Sequence, residues 1–538
     1  TAQFVRNRFY LRRPKRYINI ETPKGGKMSN TPKKLKYYVD GQWLESKTDK
    51  YMECFNPSTG EITALAPQCT QEEVDAAIVS AHNAFPAWSD TPVTKRAQVL
   101  FRLKALVDKN FDELVHLVAE EQGKCWGEAV GEIAKMNEVV EFASGIAHLM
   151  KGSSVMNITG GYDTVQYMEP LGVFAGIAPW NFPAMIPHGW MTPLAVASGN
   201  TFVIKPASFV PRSSMRILDL WAEAGLPKGV INLVTCGRDQ AEILLKHPDV
   251  KGVSFVGSTS VGRHIYATAT AHDKRVQALC EAKNHALVLR DCNLDRTVAG
   301  ITNATCGCAG ERCMALPVLV VENAIADEFV AMLKSQLSGL RIGPAYDKTS
   351  QLGPVVNDGH RQYIKGWIEK SIEEGAELVL DGRDVTVPGY ENGFYLGSTI
   401  FDHVTPEMSC GWKEVFGPVT YVKRVENFEE GIALMNSSEF ANGSAIYTEN
   451  GYYAREFAKR THGGMVGINV GIPVPVGIFG FTGHKNSFFG DLHIMGPDGI
   501  RFYTELKSVT AHWFGEEKEV DCKVDTWDGM IEMPEDKK

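Results

Sequence analysis

Gly172-Val173-Phe174-Ala175-Gly176-Ile177-Ala178-Pro179-Trp180-Asn181-Phe182-Pro183 runs from a short apolar stretch into a rigid aromatic turn that presents an asparagine. An apolar run without polar alternation suits a strand covered on both faces, as in a parallel sheet. Working outward, similar runs lie at 201–204, 230–234 and 252–256, separated by helical stretches at 213–224 and 240–246. Strands alternating with helices are the signature of βαβ units, so the fold class is α/β. A second α/β series begins near residue 277, with strands at 317–321 and 445–447 and helices at 326–337 and 360–374. A cleft between the two halves is the expected active site.

Upstream, Tyr38-Val39-Asp40-Gly41-Gln42-Trp43 reads as a hairpin turning at Asp40-Gly41. Thr70 and Glu73 form a capping box for a helix with Val74, Ala77, Ile78 and Ala81 on one stripe. Amphipathic helices follow at 95–118 and 128–148.

A chain of 538 residues, 44% hydrophobic, is long enough for two or three domains, each with its own core. The net charge of −9 conceals an asymmetry: residues 1–36 hold 11 Lys and Arg against one acid, so the rest carries −19. An acidic body argues against nucleic acid as a partner. The Arg-rich, nearly acid-free leader has the composition of an organelle-targeting segment, which would place the protein in the mitochondrial matrix; read as a retained basic tail, it leaves the protein cytoplasmic. Residues 514–538, with nine acids and four Lys, read as a surface extension. No run of about 18 apolar residues lacks Pro or charge, so no membrane span is expected. The 11 cysteines are odd in number and irregularly spaced, which fits a reducing compartment better than a disulfide framework. Cys306, Cys308 and Cys313 lack a following Cys/His pair at zinc spacing, and no metal is expected.

Chemistry concentrates in four segments. Cys308-Ala309-Gly310-Glu311-Arg312-Cys313-Met314-Ala315 sets a thiol in a small-residue loop directly after a guanidinium, which would lower its pKa and favour nucleophilic attack. The Trp180-Asn181 turn supplies an amide donor, and Val203-Ile204-Lys205-Pro206-Ala207-Ser208 is a strand ending in a lysine. Phe255-Val256-Gly257-Ser258-Thr259-Ser260-Val261-Gly262 ends a strand and opens a helix. That arrangement offers backbone N–H groups to a diphosphate, although taken alone it reads better as a hydroxyl cap with glycines for tight packing.

Together these segments resemble the aldehyde dehydrogenase superfamily, over residues 37 to 513. Ala282-Lys283-Asn284-His285, Glu311-Arg312-Cys313-Met314-Ala315, Asn469-Val470-Gly471-Ile472-Pro473-Val474-Pro475 and Phe488-Phe489-Gly490-Asp491 are similar to the CoA-acylating, methylmalonate-semialdehyde branch. The resemblance implies two Rossmann-like α/β domains and a small β oligomerisation element. It divides the chain into a basic leader (1–36), a cofactor-binding domain (37–149 and 170–277), a catalytic domain (278–485), an oligomerisation element (150–169 and 486–513) and an acidic extension (514–538). It further implies Cys313 as nucleophile and Asn181 as oxyanion donor. Trp180, Lys205, Ser208, Gly257, Ser258, Gly262, Glu414 and Phe416 would serve NAD; CoA would be co-substrate, and the assembly a homodimer or homotetramer.

Departures from the pattern matter. Ser208 stands where NAD-using relatives carry Glu, so NADP stays open, with Arg212 as a candidate partner for its 2′-phosphate. Leu279 stands where hydrolytic relatives carry the base that activates water, which leaves a thiol such as CoA to remove the acyl group. Glu281, where the branch has Gly, would share a face with Leu279 if the strand continues; it is a candidate replacement base or a carboxylate facing the cofactor edge. Arg312 points to an anionic substrate, and Lys135 matches a second Arg of the branch. His188 and Trp190 are candidate pocket residues, core packing explaining Trp190 equally well. The expectation is therefore oxidation of a short acidic semialdehyde with acyl transfer to CoA. Hydrolytic release of a free acid from a carboxylated or sulfonated aldehyde is the alternative, and a catalytically silent scaffold subunit is an alternative of another class.

Overall fold

In the computed structural model the described residues are 32–513. The leader read as a targeting segment lies almost wholly outside them, as does the acidic extension. Lys33–Lys34 already pair in parallel with Glu61–Pro67, so the folded body starts before residue 37.

An eight-stranded sheet carries the first α/β series. Its centre is five parallel strands in the order Arg275–Leu279, Val250–Val256, Val173–Ile177, Thr201–Lys205 and Ile231–Leu233. Antiparallel strands finish both ends: Phe488–Phe489 beside Arg275–Leu279, and the hairpin Tyr37–Val39 and Gln42–Leu44. That hairpin turns at Asp40 (φ 49°) and Gly41 (φ 78°), the two left-handed positions a tight hairpin needs. The capping box forms as expected, with Thr70 N donating to Glu73 Oε2 and Glu73 N to Thr70 Oγ1.

The expected helix at 95–118 is two helices, Val93–Lys109 and Phe111–Gln122. Asn110 separates them by donating its side-chain amide to Leu106 O at 2.7 Å, a local bond that competes with helix propagation. A second, seven-stranded sheet runs in the order Glu377–Leu380, Thr399–Asp402, Val419–Val425, Val318–Glu322, His285–Val288, Gly443–Tyr447, Met465–Ile468. All neighbours are parallel except Glu377–Leu380 against Thr399–Asp402.

A three-stranded sheet stands apart: Ser154–Thr159, Tyr162–Pro170 and Thr504–His512. Within the expected 486–513 part of this element, only Thr504–His512 pairs as a strand, because Gly496–Tyr503 is a helix packed on Thr192–Ser198. Phe488–Phe489, expected in the same small element, instead joins the eight-stranded sheet. Among the described residues no helix is long and apolar enough to cross a membrane.

Candidate active site

The thiol loop is built by opposing constraints. The helix Leu294–Cys306 ends, and Cys308 (φ 52°), Ala309 (φ 52°) and Gly310 (φ 73°) follow in left-handed conformation. Such a geometry costs about 1–3 kcal/mol for each non-glycine residue and persists only where the surroundings impose it. Here they do: a Cβ on Gly310 would lie 2.1 Å from Gly417 O, so this loop and the 414–418 segment touch backbone to backbone. Beyond the turn, Asn284 Nδ2 donates to Cys313 O (2.8 Å) and Ala315 O (2.9 Å), and Asn442 Nδ2 to Cys313 O (3.1 Å). The peptide that carries the thiol is therefore fixed by the residues that lead into two strands, His285–Val288 and Gly443–Tyr447.

Asn181 arrives from the other sheet, four residues past Val173–Ile177, and its Nδ2 donates to Glu311 O at 3.1 Å. The thiol itself differs from the expectation. Burial pushes Cys313 up to about 12, Glu414 adds to the rise, and Arg312 is the smallest of the lowering influences. The guanidinium is engaged elsewhere: its Nη2 donates to Glu128 Oε1 (2.8 Å) and Asn303 Oδ1 (3.0 Å).

Two cavities meet at Cys313, the residue they share. The first opens toward Trp180, Gly257, Ser258, Glu281, Glu414 and Phe416. There Glu414 accepts from Ala282 N at 2.9 Å, and its carboxyl is raised to about 8, chiefly by burial. Phe416 (φ 57°) sets its ring edge-on to Trp180 at 5.4 Å, while its carbonyl accepts from His360 Nε2 at 2.7 Å. The second cavity, about 260 Å³, is lined by Lys135, Phe182, Trp190, Arg312, Ile472 and Phe481 among others. Lys135 is ion-paired to Glu138 at 2.9 Å, half exposed.

Other expected residues lie elsewhere. Gly262 is buried, and a Cβ there would meet Cys280 Sγ at 2.2 Å; close packing accounts for that glycine. His188 is also fully buried, bonded to Ser214 Oγ at 2.8 Å, and does not line either cavity. Arg212 is paired with Glu120 at 2.7 Å rather than free for a phosphate. Lys205 ends its strand with its ammonium making one long bond, 3.4 Å to Pro206 O, and burial lowers its pKa. Ser208 is buried three residues on. The strand Arg275–Leu279 stops before Glu281, so the alternation that would have set Glu281 beside Leu279 does not extend that far. Its carboxylate instead accepts from Thr259 N (3.1 Å), at the start of the helix Thr259–Thr270.

A thiol held at the junction of two cavities, between the ends of two parallel sheets, coincides with a profile match over residues 43–509 to the aldehyde dehydrogenase family. The chain belongs to that family. Among curated aldehyde dehydrogenases, the malonate-semialdehyde dehydrogenase of Halalkalibacterium halodurans is 46% identical over 483 residues, 90% of this chain and 99% of the relative. The crystal structure of methylmalonate-semialdehyde dehydrogenase (DddC) from Oceanimonas doudoroffii superposes with a TM-score of 0.88 at 43% identity, covering 90% of this chain and 99% of that one. A Sinorhizobium meliloti structure assigned to methylmalonate-semialdehyde dehydrogenase and complexed with NAD gives 0.89 at 40% identity, covering 91% and 100%.

In this aldehyde dehydrogenase several residues around the site were given no role by motif reading, Glu311 among them although its segment was quoted: Gln122, Lys124, Glu132, Glu311 and His360. Gln122 Nε2 donates to Glu311 Oε2 (2.8 Å), and Lys124 Nζ donates to both Glu132 Oε2 and Asn181 O, each at 2.6 Å. Their partners are 8 to 189 residues away in sequence, so no local spacing could announce them. The nearest signal was Gly123 (φ 98°), a left-handed helix stop beside two long polar side chains.

Proposed function

We propose that this aldehyde dehydrogenase oxidises a short aldehyde bearing an acid group, of the malonate or methylmalonate semialdehyde type, and passes the acyl group to CoA. The single observation behind this reading is Cys313 at the meeting point of a cavity with a helix N-terminus and a cavity with cations. The fit of NAD rests on the Glu414 carboxyl and the 257–258 turn that line the first cavity, and on the under-bonded ammonium of Lys205 outside its lining. Lys205 and Glu414 would hold its riboses and the 257–258 turn its diphosphate. When bound, NAD supplies a hydride acceptor beside Cys313. The names of the relatives above support the semialdehyde part of the reading, and Leu279 supports the CoA part.

The protein's own groups account for the rest. The Cys313 sulfur, as thiolate, adds to the aldehyde carbon, and the Asn181 amide and Cys313 N–H receive the resulting oxyanion. Loss of hydride from that adduct leaves a thioester on Cys313. Leu279, 5% exposed and without a basic atom, cannot activate water, so a CoA thiolate attacks the thioester carbon and Cys313 departs as thiolate. In the second cavity, Lys135 and Arg312 would face the substrate's acid group. The small three-stranded sheet, with Val155, Met156, Ile158, Leu506 and Val509 exposed, supports self-assembly into a dimer or tetramer.

The test is product analysis. Malonate and methylmalonate semialdehyde are supplied with NAD, with and without CoA, and acyl-CoA and free acid are measured by mass spectrometry. Acyl-CoA formed only with CoA, and little free acid without it, is the expected result. Rapid CoA-independent free acid would favour hydrolysis, the reading that Glu281 in the Cys313 cavity supports.

A further inference from the structure

Two buried polar side chains converge on the backbone that carries Asn181, and a third, Gln122, holds the Glu311 side chain. Lys124 and Glu132, both wholly buried, form an ion pair at 2.6 Å. The same ammonium donates to Asn181 O at 2.6 Å and lies 3.7 Å from the Phe182 ring centre. Glu132 Oε1 accepts from Ala184 N (2.8 Å) and Met185 N (3.0 Å), so the pair grips the turn on both sides of Phe182-Pro183. From the same short turn Gln122 holds the Glu311 carboxyl, whose other oxygen accepts from Val356 N at 3.0 Å. Lys124 N donates back to Gln122 Oε1 at 3.0 Å, and a Cβ on Gly123 would press against Pro354 O at 3.0 Å.

We infer that the turn Gln122-Gly123-Lys124, acting with Glu132, is a positioning device that sets the separation between the Asn181 amide and the Cys313 loop. One arm fixes Asn181 through its own carbonyl, and the other fixes Glu311, two residues before the thiol. Asn181 and Cys313 come from different sheets, so neither sheet alone determines their distance. A buried ion pair contributes little net stability, yet it tolerates little displacement, because moving either charge away from its partner leaves it uncompensated. That rigidity suits alignment better than it suits stabilisation. These are positioning residues: Gln122 and Lys124 line neither cavity, and Glu132, at the wall of the second, has its carboxylate engaged by Lys124 Nζ, Ala184 N and Met185 N. The inference rests on the proposed role of Asn181 as oxyanion donor.

The test uses the double variant Lys124→Met/Glu132→Leu in the full-length enzyme, which removes both charges together and strands neither. Gln122→Leu, which removes no charge, is a second, independent probe should the double variant fail to fold. Rapid mixing with the aldehyde and NAD reads the burst of reduced nicotinamide, while calorimetry reads NAD affinity and thermal melting reads the fold. The expected result is a burst rate roughly 10²-fold slower, with KM, NAD affinity and melting temperature near wild type. A second readout is coupling: Asn181→Ala should cost far less in the double variant than in wild type, because a misaligned donor has little left to lose. A wild-type burst, or a full Asn181→Ala penalty in the double variant, overturns the inference. So does a parallel fall in melting temperature and NAD affinity for both probes, which marks a merely structural role. If the wild type shows no aldehyde-dependent burst, the functional reading fails instead.

Discussion

The Asn181 amide donates to the carbonyl oxygen of Glu311 at 3.1 Å, and Cys313 follows two residues later on the same loop. In the proposed mechanism the oxyanion donor is thus already ordered beside the nucleophile, occupied by a backbone acceptor. A substrate oxygen has only to exchange for that carbonyl, and little reorganisation is needed at the moment of attack.

Cys313→Ala should abolish aldehyde oxidation while leaving NAD affinity near wild type. Asn181→Ala should lower turnover roughly 10²–10³-fold, the usual loss for one oxyanion donor. Steady-state rates and calorimetric titration check both; normal turnover in Cys313→Ala would remove the thiol from the chemistry.

Burial holds the Cys313 thiol up to about 12. Below that value the thiolate fraction, and hence alkylation by iodoacetamide, should climb about tenfold per pH unit without levelling off up to about pH 9. Peptide mapping of the Cys313 adduct separates it from the partly exposed Cys292. A plateau near pH 7 would mean that an activated thiolate already exists without cofactor. Glu414, its own carboxyl raised to about 8, is charged only above that pH, so Glu414→Gln should speed labelling above about pH 8 and change it little below.

How much of this was legible in the sequence follows from the range of each interaction. The parallel strands, the Asp40-Gly41 hairpin and the Thr70–Glu73 box are local patterns of apolar period, handed turn and capping, and they emerge where expected. The Asn110 break is local too, yet Asn inside a helical pattern announces a stop only when its amide finds a carbonyl. Electrostatics read from neighbours failed at Arg312, because sequence adjacency to Cys313 said nothing of Glu128, 184 residues away, which claims the guanidinium. For the same reason the strand end at Leu279, which decides where Glu281 points, depended on partner strands rather than on its own residues.

Lys135 is the more available cation of the second cavity. Its pair with Glu138 is half exposed, a class worth roughly 0–1 kcal/mol, whereas Arg312 is bonded to Glu128 and Asn303 and only 10% exposed. Lys135→Met should raise KM for a carboxylated aldehyde by roughly tenfold with kcat retained, leave KM for propanal unchanged, and be largely rescued by Lys135→Arg. Equal losses for both aldehydes would show that Lys135 shapes the cavity instead of reading charge.

For the choice between NAD and NADP, the relevant pair is Arg212 with Glu120 at 2.7 Å. A 2′-phosphate would have to take the guanidinium from that carboxylate, so NAD should be the better substrate for the wild type. Glu120→Gln should improve kcat/KM with NADP several-fold, about what one freed charge supplies, and Ser208→Glu should reverse the gain by repulsion. Equal effects on both cofactors would place neither residue at the ribose.

Deacylation turns on Leu279, whose carbonyl accepts from Gly257 N at 3.0 Å while its buried side chain offers no basic atom. A thioester on Cys313 therefore finds no base at position 279 to activate water, and without CoA the expected trace is a burst of reduced nicotinamide followed by a slow steady state. Leu279→Glu should raise the CoA-independent rate and yield free acid. Glu281 presents the competing base, but its carboxylate is held on Thr259 N at 3.1 Å, at the helix end rather than free over the thioester. Glu281→Gln keeps an oxygen for that same bond, so the CoA-independent rate should change little. Rapid free-acid release in the wild type that vanishes in Glu281→Gln would instead make Glu281 the base and the enzyme a hydrolase of its own acyl intermediate.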